Sequence, residues 1–189
     1  PILYSGGTDG RRSMWLLPDG SRGGRGDAPR LARCEQTPHR DAWITRVICF
    51  ENSIHQQVVY SASADATVIE WVQRVALHSE RHHGRGLGLQ LQVVRIFRHH
   101  KLAVHSLAYC APSEAIFSAG SDHHVYVWAV RIPDASEPTR LIGHTCAVVE
   151  VSASAHAAHG LSVDIGGSVR LWDARSGACL QVIEPPEQL

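Results

Sequence analysis

What this sequence lacks narrows it first. There is no charge surplus: Lys+Arg and Asp+Glu are each 18, for a formal net charge of zero. A polyanionic partner such as nucleic acid normally calls for a basic excess, so this balance argues against one, although the 13 His could add positive charge below neutral pH. No run of about eighteen apolar residues occurs, so no membrane span is expected. The five cysteines, Cys34, Cys49, Cys110, Cys146 and Cys179, form no CxxC pair, so neither a zinc site nor a redox motif is indicated and no cofactor is expected. Their odd, scattered usage suits a reducing compartment. Cys49, Cys110 and Cys179 lie among strand-like residues and are expected to pack as small apolar groups. No G-x-S-x-G elbow is present. The 189 residues suffice for one domain with a sizeable core. The chain opens on Pro1 with no signal-peptide pattern before Ile2-Leu3-Tyr4, and is expected to be a piece of a longer polypeptide.

What is present is a repeat. Four segments line up on a Trp: SGGTDGRRSMW (5–15), SASADATVIEW (61–71), SAGSDHHVYVW (118–128) and SVDIGGSVRLW (162–172). In each, a Ser stands ten residues before the Trp. In the first three, an Asp stands six before it (Asp9, Asp65, Asp122), where the last has Gly166. Each segment reads as a hairpin, a small-residue strand turning tightly into an alternating one such as Val125-Tyr126-Val127-Trp128. Before three of them a His is followed four residues later by a large apolar residue: His39 and Trp43, His100 and Val104, His144 and Val148. Apolar runs follow, Trp43 to Phe50, Val104 to Tyr109 and Val148 to Val151, each predicted as a strand. Further strands are expected after the hairpins, at Leu91 to Phe97, Thr139 to Ile142 and Ala178 to Ile183. Each unit thus has about four strands, the content of a propeller blade.

These features resemble the WD40 repeat, which opens on Gly-His and closes on Trp-Asp. Gly143-His144 and Trp172-Asp173 match both ends of the last unit. Arg98-His99-His100, Trp71-Val72 and Trp128-Ala129 depart from them elsewhere. The resemblance implies an all-β fold, a partial WD40 β-propeller of antiparallel four-stranded blades, three whole and one incomplete at the N-terminus. The expected blades are 1–35 (first strand missing), 36–98 (with an insertion at 75–90), 99–142 and 143–184, with 185–189 as a linker. The tryptophans at 15, 71, 128 and 172 lie 56, 57 and 44 residues apart. The longer spacings place Gly/Arg/His-rich insertions at 18–29 and 75–90, and a shorter one at 132–138, each between the third and fourth strands of a blade.

The family resemblance also implies a buried hydrogen-bond tetrad of His, Ser, Asp and Trp in each blade. Asp accepts from the His ring, the Ser hydroxyl bridges, and the indole N–H donates. Carried over by position, blade two has His39, Ser61, Asp65 and Trp71, and blade three has His100, Ser118, Asp122 and Trp128. Blade four has His144, Ser162 and Trp172, and blade one Ser5, Asp9 and Trp15. For the missing acid of blade four two readings are open. Asp164 substitutes through a reshaped turn, or the tetrad is broken; the second is the working expectation.

The same Ser, His and Asp are also the parts of a hydrolase site, the remote alternative. Their recurrence once per blade argues against it, because an active site would normally occur once. Other signals have plainer readings. Arg25-Gly26-Asp27 matches an integrin tripeptide by chance. Neighbouring His on a strand point to opposite faces, so His99-His100 and His123-His124 make no metal site. The insertion residues Arg22, Arg25, Arg81, His82, His83 and Arg85 are candidate partner-binding positions on surface loops. The expected function is a non-enzymatic scaffold for protein–protein interaction, with no small-molecule substrate and no metal. The last repeat also resembles those of large ciliary and flagellar WD-repeat scaffolds, through Ser162-x-Asp164-x-x-Gly167 and Cys179-Leu180-Gln181. That resemblance implies a microtubule-associated, cytoplasmic or cytoskeletal setting such as an axoneme. The alternative is a substrate receptor or a subunit of a nuclear or ribonucleoprotein complex.

Overall fold

The computed structural model describes residues 2–16, 30–36, 38–39, 42–52, 54–76, 88–130 and 137–186. These build fifteen strands in four antiparallel sheets, each a meander of sequential neighbours. The first sheet has three strands, β1 (Ile2–Gly6), β2 (Arg11–Leu16) and β3 (Arg30–Gln36). The second has β4 (Ile44–Glu51), β5 (Gln57–Ser63), β6 (Val68–Ala76) and β7 (Gly88–Phe97). The third has β8 (Val104–Cys110), β9 (Ala115–Gly120), β10 (Val125–Ala129) and β11 (Thr139–Leu141), and the fourth β12 (Val148–Ala153), β13 (His159–Asp164), β14 (Val169–Asp173) and β15 (Cys179–Ile183). Val, Ile, Tyr and Trp make up most of β6 and β10, in keeping with β-propensity. Among the described residues the only helical turn is a 3₁₀ piece, Ala111–Ser113.

The sheets repeat down to their irregularities. In blades two, three and four the first and second strands slip register near the same end, between Ile44 and Arg46, Val104 and Ser106, and Val148 and Glu150. Such a bulge bends and twists the strand, and its recurrence marks these positions as equivalent. Several expected boundaries move by a residue or more, two of them with consequences for the loops. The expected insertion at 75–90 loses its ends to the ladder, because Val75 pairs with Leu89 and Ala76 with Gly88. The strand expected to begin at Trp43 begins instead at Ile44.

The core lies in the gaps between blades. Val58, Tyr60 and Val72 of blade two meet Leu107, Ile116 and Trp128 of blade three. Phe117, Val127 and Leu141 of blade three meet Val148, Val151 and Trp172 of blade four. Contact there is close: a Cβ on Gly160 would stand 2.5 Å from the Phe117 ring. Phe50 and Tyr109 stack across the first gap with ring centroids 3.6 Å apart. The second strands of blades two and three are therefore buried on both faces, while blade four alternates between buried and exposed residues along β13. At matched positions Tyr60 and Phe117 are fully buried but Leu161 is 43% exposed, since no described blade covers its outer face.

Candidate functional site

Within each hairpin the register brings Ser and Trp together. Ser61 pairs with Ile69, Ser118 with Tyr126 and Ser162 with Arg170. The Trp stands two residues beyond that partner, on the same face and diagonal to the Ser, within reach of a long side chain. The indole Nε1–H of Trp71, Trp128 and Trp172 donates to the Ser Oγ at 2.8, 2.8 and 2.7 Å. The same Oγ lies 2.8, 2.9 and 2.7 Å from Nε2 of His39, His100 and His144. An indole can only donate, so the Ser oxygen accepts from it and its own hydroxyl hydrogen goes to His Nε2. With Nε2 accepting, a ring proton sits on Nδ1.

What receives that proton differs between blades. In blade three His100 Nδ1 stands 3.0 Å from each oxygen of Asp122, which also accepts the N–H of Lys101 and of His124. In blade four Asp164 takes the role: His144 Nδ1 donates to its Oδ2 at 2.8 Å, and Ser168 N to its Oδ1 at 3.0 Å. This corrects the expectation of a broken tetrad. The acid is supplied from the end of β13 rather than from position 166, and the turn that makes room carries Gly167 at a left-handed φ of 86°. In blade two His39 Nδ1 contacts Thr67 Oγ1 at 2.7 Å and lies 3.5 Å from Asp65. Thr67 Oγ1 donates onward to Asp65 Oδ1 at 2.6 Å, a relay that comparison of the repeats does not reveal. In blade one Asp9 is exposed beside Arg11 and Ser5 is exposed, with Trp15 in β2; the described residues there hold no His.

The electrostatics follow from this geometry. Burial pushes the His39 pKa below its ordinary value, with Arg98 adding to the effect and Asp65 opposing it, so the ring is neutral. Burial pushes the carboxyls of Asp65, Asp122 and Asp164 up. Hydrogen bonds from Thr67, from His100 with Lys101, and from His144 with Ser168 outweigh it and leave all three below the ordinary range. The acids are ionised, bonded and turned away from water.

Because the strands run as a meander, successive turns fall at opposite ends of each blade. One end carries the β5–β6, β9–β10 and β13–β14 turns, with the connections into β8 and β12; this is the tetrad rim. The other carries the β4–β5, β8–β9 and β12–β13 turns. Strand ends flanking the first two insertions also stand there, with Leu16 opposite Arg30 and Ala76 opposite Gly88. Arg22, Arg25, Arg81, His82, His83 and Arg85 themselves lie outside the described residues. Of the cysteines, Cys110 is buried as expected, but Cys49 and Cys179 are exposed, the latter on β15, all of whose residues face solvent. Neither described His pair lies in a strand: His99-His100 follows β7, with His99 exposed and His100 buried, and His123-His124 lies in the β9–β10 turn. Among the described residues no three His, Cys, Asp or Glu converge as a metal site.

Comparison with known proteins fits this frame. The family model "WD domain, G-beta repeat" matches residues 91–129, from within β7 to the end of β10. Human Striatin-4 is 29% identical over 71% of this chain and 19% of its own length, and mouse Striatin 28% over 71% and 18%. Bovine Transducin beta-like protein 3 is 21% identical over 95% of this chain and 20% of its own. The chain thus spans about a fifth of the length of these curated relatives. With four blade-like antiparallel meanders, three histidine-centred networks and a WD40 repeat model matched over residues 91–129, the chain has the architecture of part of a β-propeller and carries a WD40 repeat.

Proposed function

We propose that this segment is a non-catalytic scaffold that mediates protein–protein interaction within a larger assembly. One observation carries the reading: the Ser, His and Asp that could form a hydrolytic site are spent on structure. Ser61, Ser118 and Ser162 are buried, and each hydroxyl is held between an indole and an imidazole. A buried polar chain repeated in every complete blade fixes how turns and strands meet, and leaves a stiff body with two rims of loops.

The test is Ser118→Ala. It strips Trp128 Nε1–H of its acceptor and His100 Nε2 of its donor, so the expected outcome is a lower melting temperature and no change in ester hydrolysis. A hydrolytic activity that vanishes in this variant at unchanged melting temperature sinks the scaffold reading.

An axonemal or other microtubule-associated setting is the narrower form of this proposal. Its support is the resemblance of the last repeat. The tetrad accounts for the Ser162-x-Asp164 match on structural grounds, which leaves Cys179-Leu180-Gln181 on exposed β15 to carry it. A fluorescent fusion of the full-length protein in ciliated cells tests this: axonemal signal supports it, and diffuse cytoplasmic or nuclear signal removes it.

A further inference from the structure

The connection into the inner strand of blade two departs from its counterparts at one place. The carbonyls of Trp43, Ala103 and Ala147 accept the N–H of Ala64, Ser121 and Ile165. The three are therefore matched positions, and blade two carries an indole where blades three and four carry a methyl group. Trp43 is 63% exposed, whereas Trp71, Trp128 and Trp172 are sealed in their tetrads. The carbonyl contact would be made by any residue, so it does not call for an indole at this place.

Two residues further on, Thr45 Oγ1 donates to Val104 O at 2.5 Å and ties this segment to the inner strand of blade three. Leu102, 54% exposed, stands two residues before Val104. The indole and the leucine thus each stand two residues before one end of this contact. The rim beside them presents cations to water: Arg98 and Lys101 are exposed, and Arg98 is close enough to His39 to act on its charge. The carboxylates of Asp65 and Asp122 at this end are only 8% and 6% exposed and are turned into their turns, while the exposed Asp9 of the β1–β2 turn is paired with Arg11.

We infer that this part of the tetrad rim docks an acidic segment of a partner protein. An apolar side chain of that segment lies on the Trp43 indole and Leu102, and its carboxylates face Arg98 and Lys101. The inference rests on the scaffold reading and specifies the partner's chemistry. An exposed indole gives large contact area at small entropic cost, and Trp is enriched in binding hot spots. The flanking cations add charge complementarity, which acts on encounter rate and specificity and is screened by salt.

The test uses a fluorescein-labelled, amidated heptapeptide, DEFDELD, and its charge-reversed form KKFKKLK. Anisotropy reads affinity and intrinsic Trp emission reads location. DEFDELD is expected to bind saturably and weaken with salt, and its unlabelled form to shift the emission to the blue, while KKFKKLK does neither. Trp43→Ala should weaken binding about tenfold or more at unchanged melting temperature, since the ring is exposed. Lys101→Glu should weaken it severalfold. The inference is overturned if DEFDELD does not bind, if both peptides bind equally, if Trp43→Ala binds as well as the parent, or if a (dT)₁₂ oligonucleotide is preferred. Recovery of an intact partner complex with Trp43→Ala would refute this site and leave the scaffold reading standing. A full-length protein that enters no complex would refute the scaffold reading whatever the peptides do.

Discussion

Blade four offers a direct test of how these networks work, because Asp164 and Gly166 make opposite predictions. Asp164 Oδ2 accepts His144 Nδ1–H at 2.8 Å and its Oδ1 accepts Ser168 N–H at 3.0 Å, with all three residues buried. Asp164→Ala leaves both donors without an acceptor. A buried donor left unsatisfied costs about 1–3 kcal/mol, and these bonds go to a charged group, so the expected loss is about 3–5 kcal/mol. At this chain length that lowers the melting temperature by about 6–20 °C. Asp164→Asn keeps one acceptor oxygen but turns an NH₂ toward the other donor, and should fall between parent and Ala. Gly166→Asp restores the residue the other repeats carry at that place. If the network lacked its acid, this change would stabilise. Here a Cβ on Gly166 would stand 3.2 Å from Asp164 Oδ1, so the new carboxylate crowds one already ionised and should destabilise. Calorimetry and urea denaturation with near-UV circular dichroism read all three variants. An Asp164→Ala protein within about 0.5 kcal/mol of the parent, the usual range for a neutral surface change, or a Gly166→Asp protein that melts higher, refutes the assignment.

Two further outcomes concern blade two. Burial lowers the His39 pKa in the folded chain, so between that value and the unfolded one, about 6.5, the unfolded chain binds more protons. His39 thus favours folding above pH about 6.5 and should cost stability as pH falls below it, by at most about 1.4 kcal/mol per pH unit. Urea midpoints between pH 7.5 and 5.5 should show this fall, and His39→Gln should flatten it; an unchanged slope in that variant would exclude His39 as its source. Thr67→Val keeps the shape of the relay but removes the oxygen between His39 and Asp65, and should cost about 1–3 kcal/mol by the same denaturation assay. If the Thr67→Val chain proves as stable as the parent, His39 reaches Asp65 unaided.

What the sequence reveals about the blades follows from what the ladder constrains. The ten-residue step from Ser to Trp is legible because antiparallel pairing fixes it: Trp71 must lie two beyond Ile69, the partner of Ser61, to reach its hydroxyl. The acid is less legible because it acts from a turn, through the tip of its side chain, and no ladder fixes its position. Asp122 stands four residues after its Ser, Asp164 two, and in blade two Thr67 stands between His39 and Asp65. Gly166 therefore reads as a vacancy in an alignment although the carboxylate is present in space. The cysteines make the same point from another side, since a strand position alone does not say which face a side chain takes, and Cys49 and Cys110 in first strands of neighbouring blades fall on opposite sides of burial.

Trp43 shows where this limit bears on function. Counting four residues from each His aligns Trp43 with Val104 and Val148, strand-opening core residues. The backbone contacts align it with Ala103 and Ala147 instead, because the connection from His39 to its strand is one residue longer. Outside the ladder an added residue breaks no pairing, so it shifts the chain by one place and turns an expected core side chain out to solvent. That freedom confines variation to the rims: a change in a strand must preserve registers and buried networks, whereas a change in a connection alters only what the rim displays. The residues that identify the family are thus tied down by the fold. Partner specificity is expected where blades at matched positions differ, as they do at Trp43, Ala103 and Ala147.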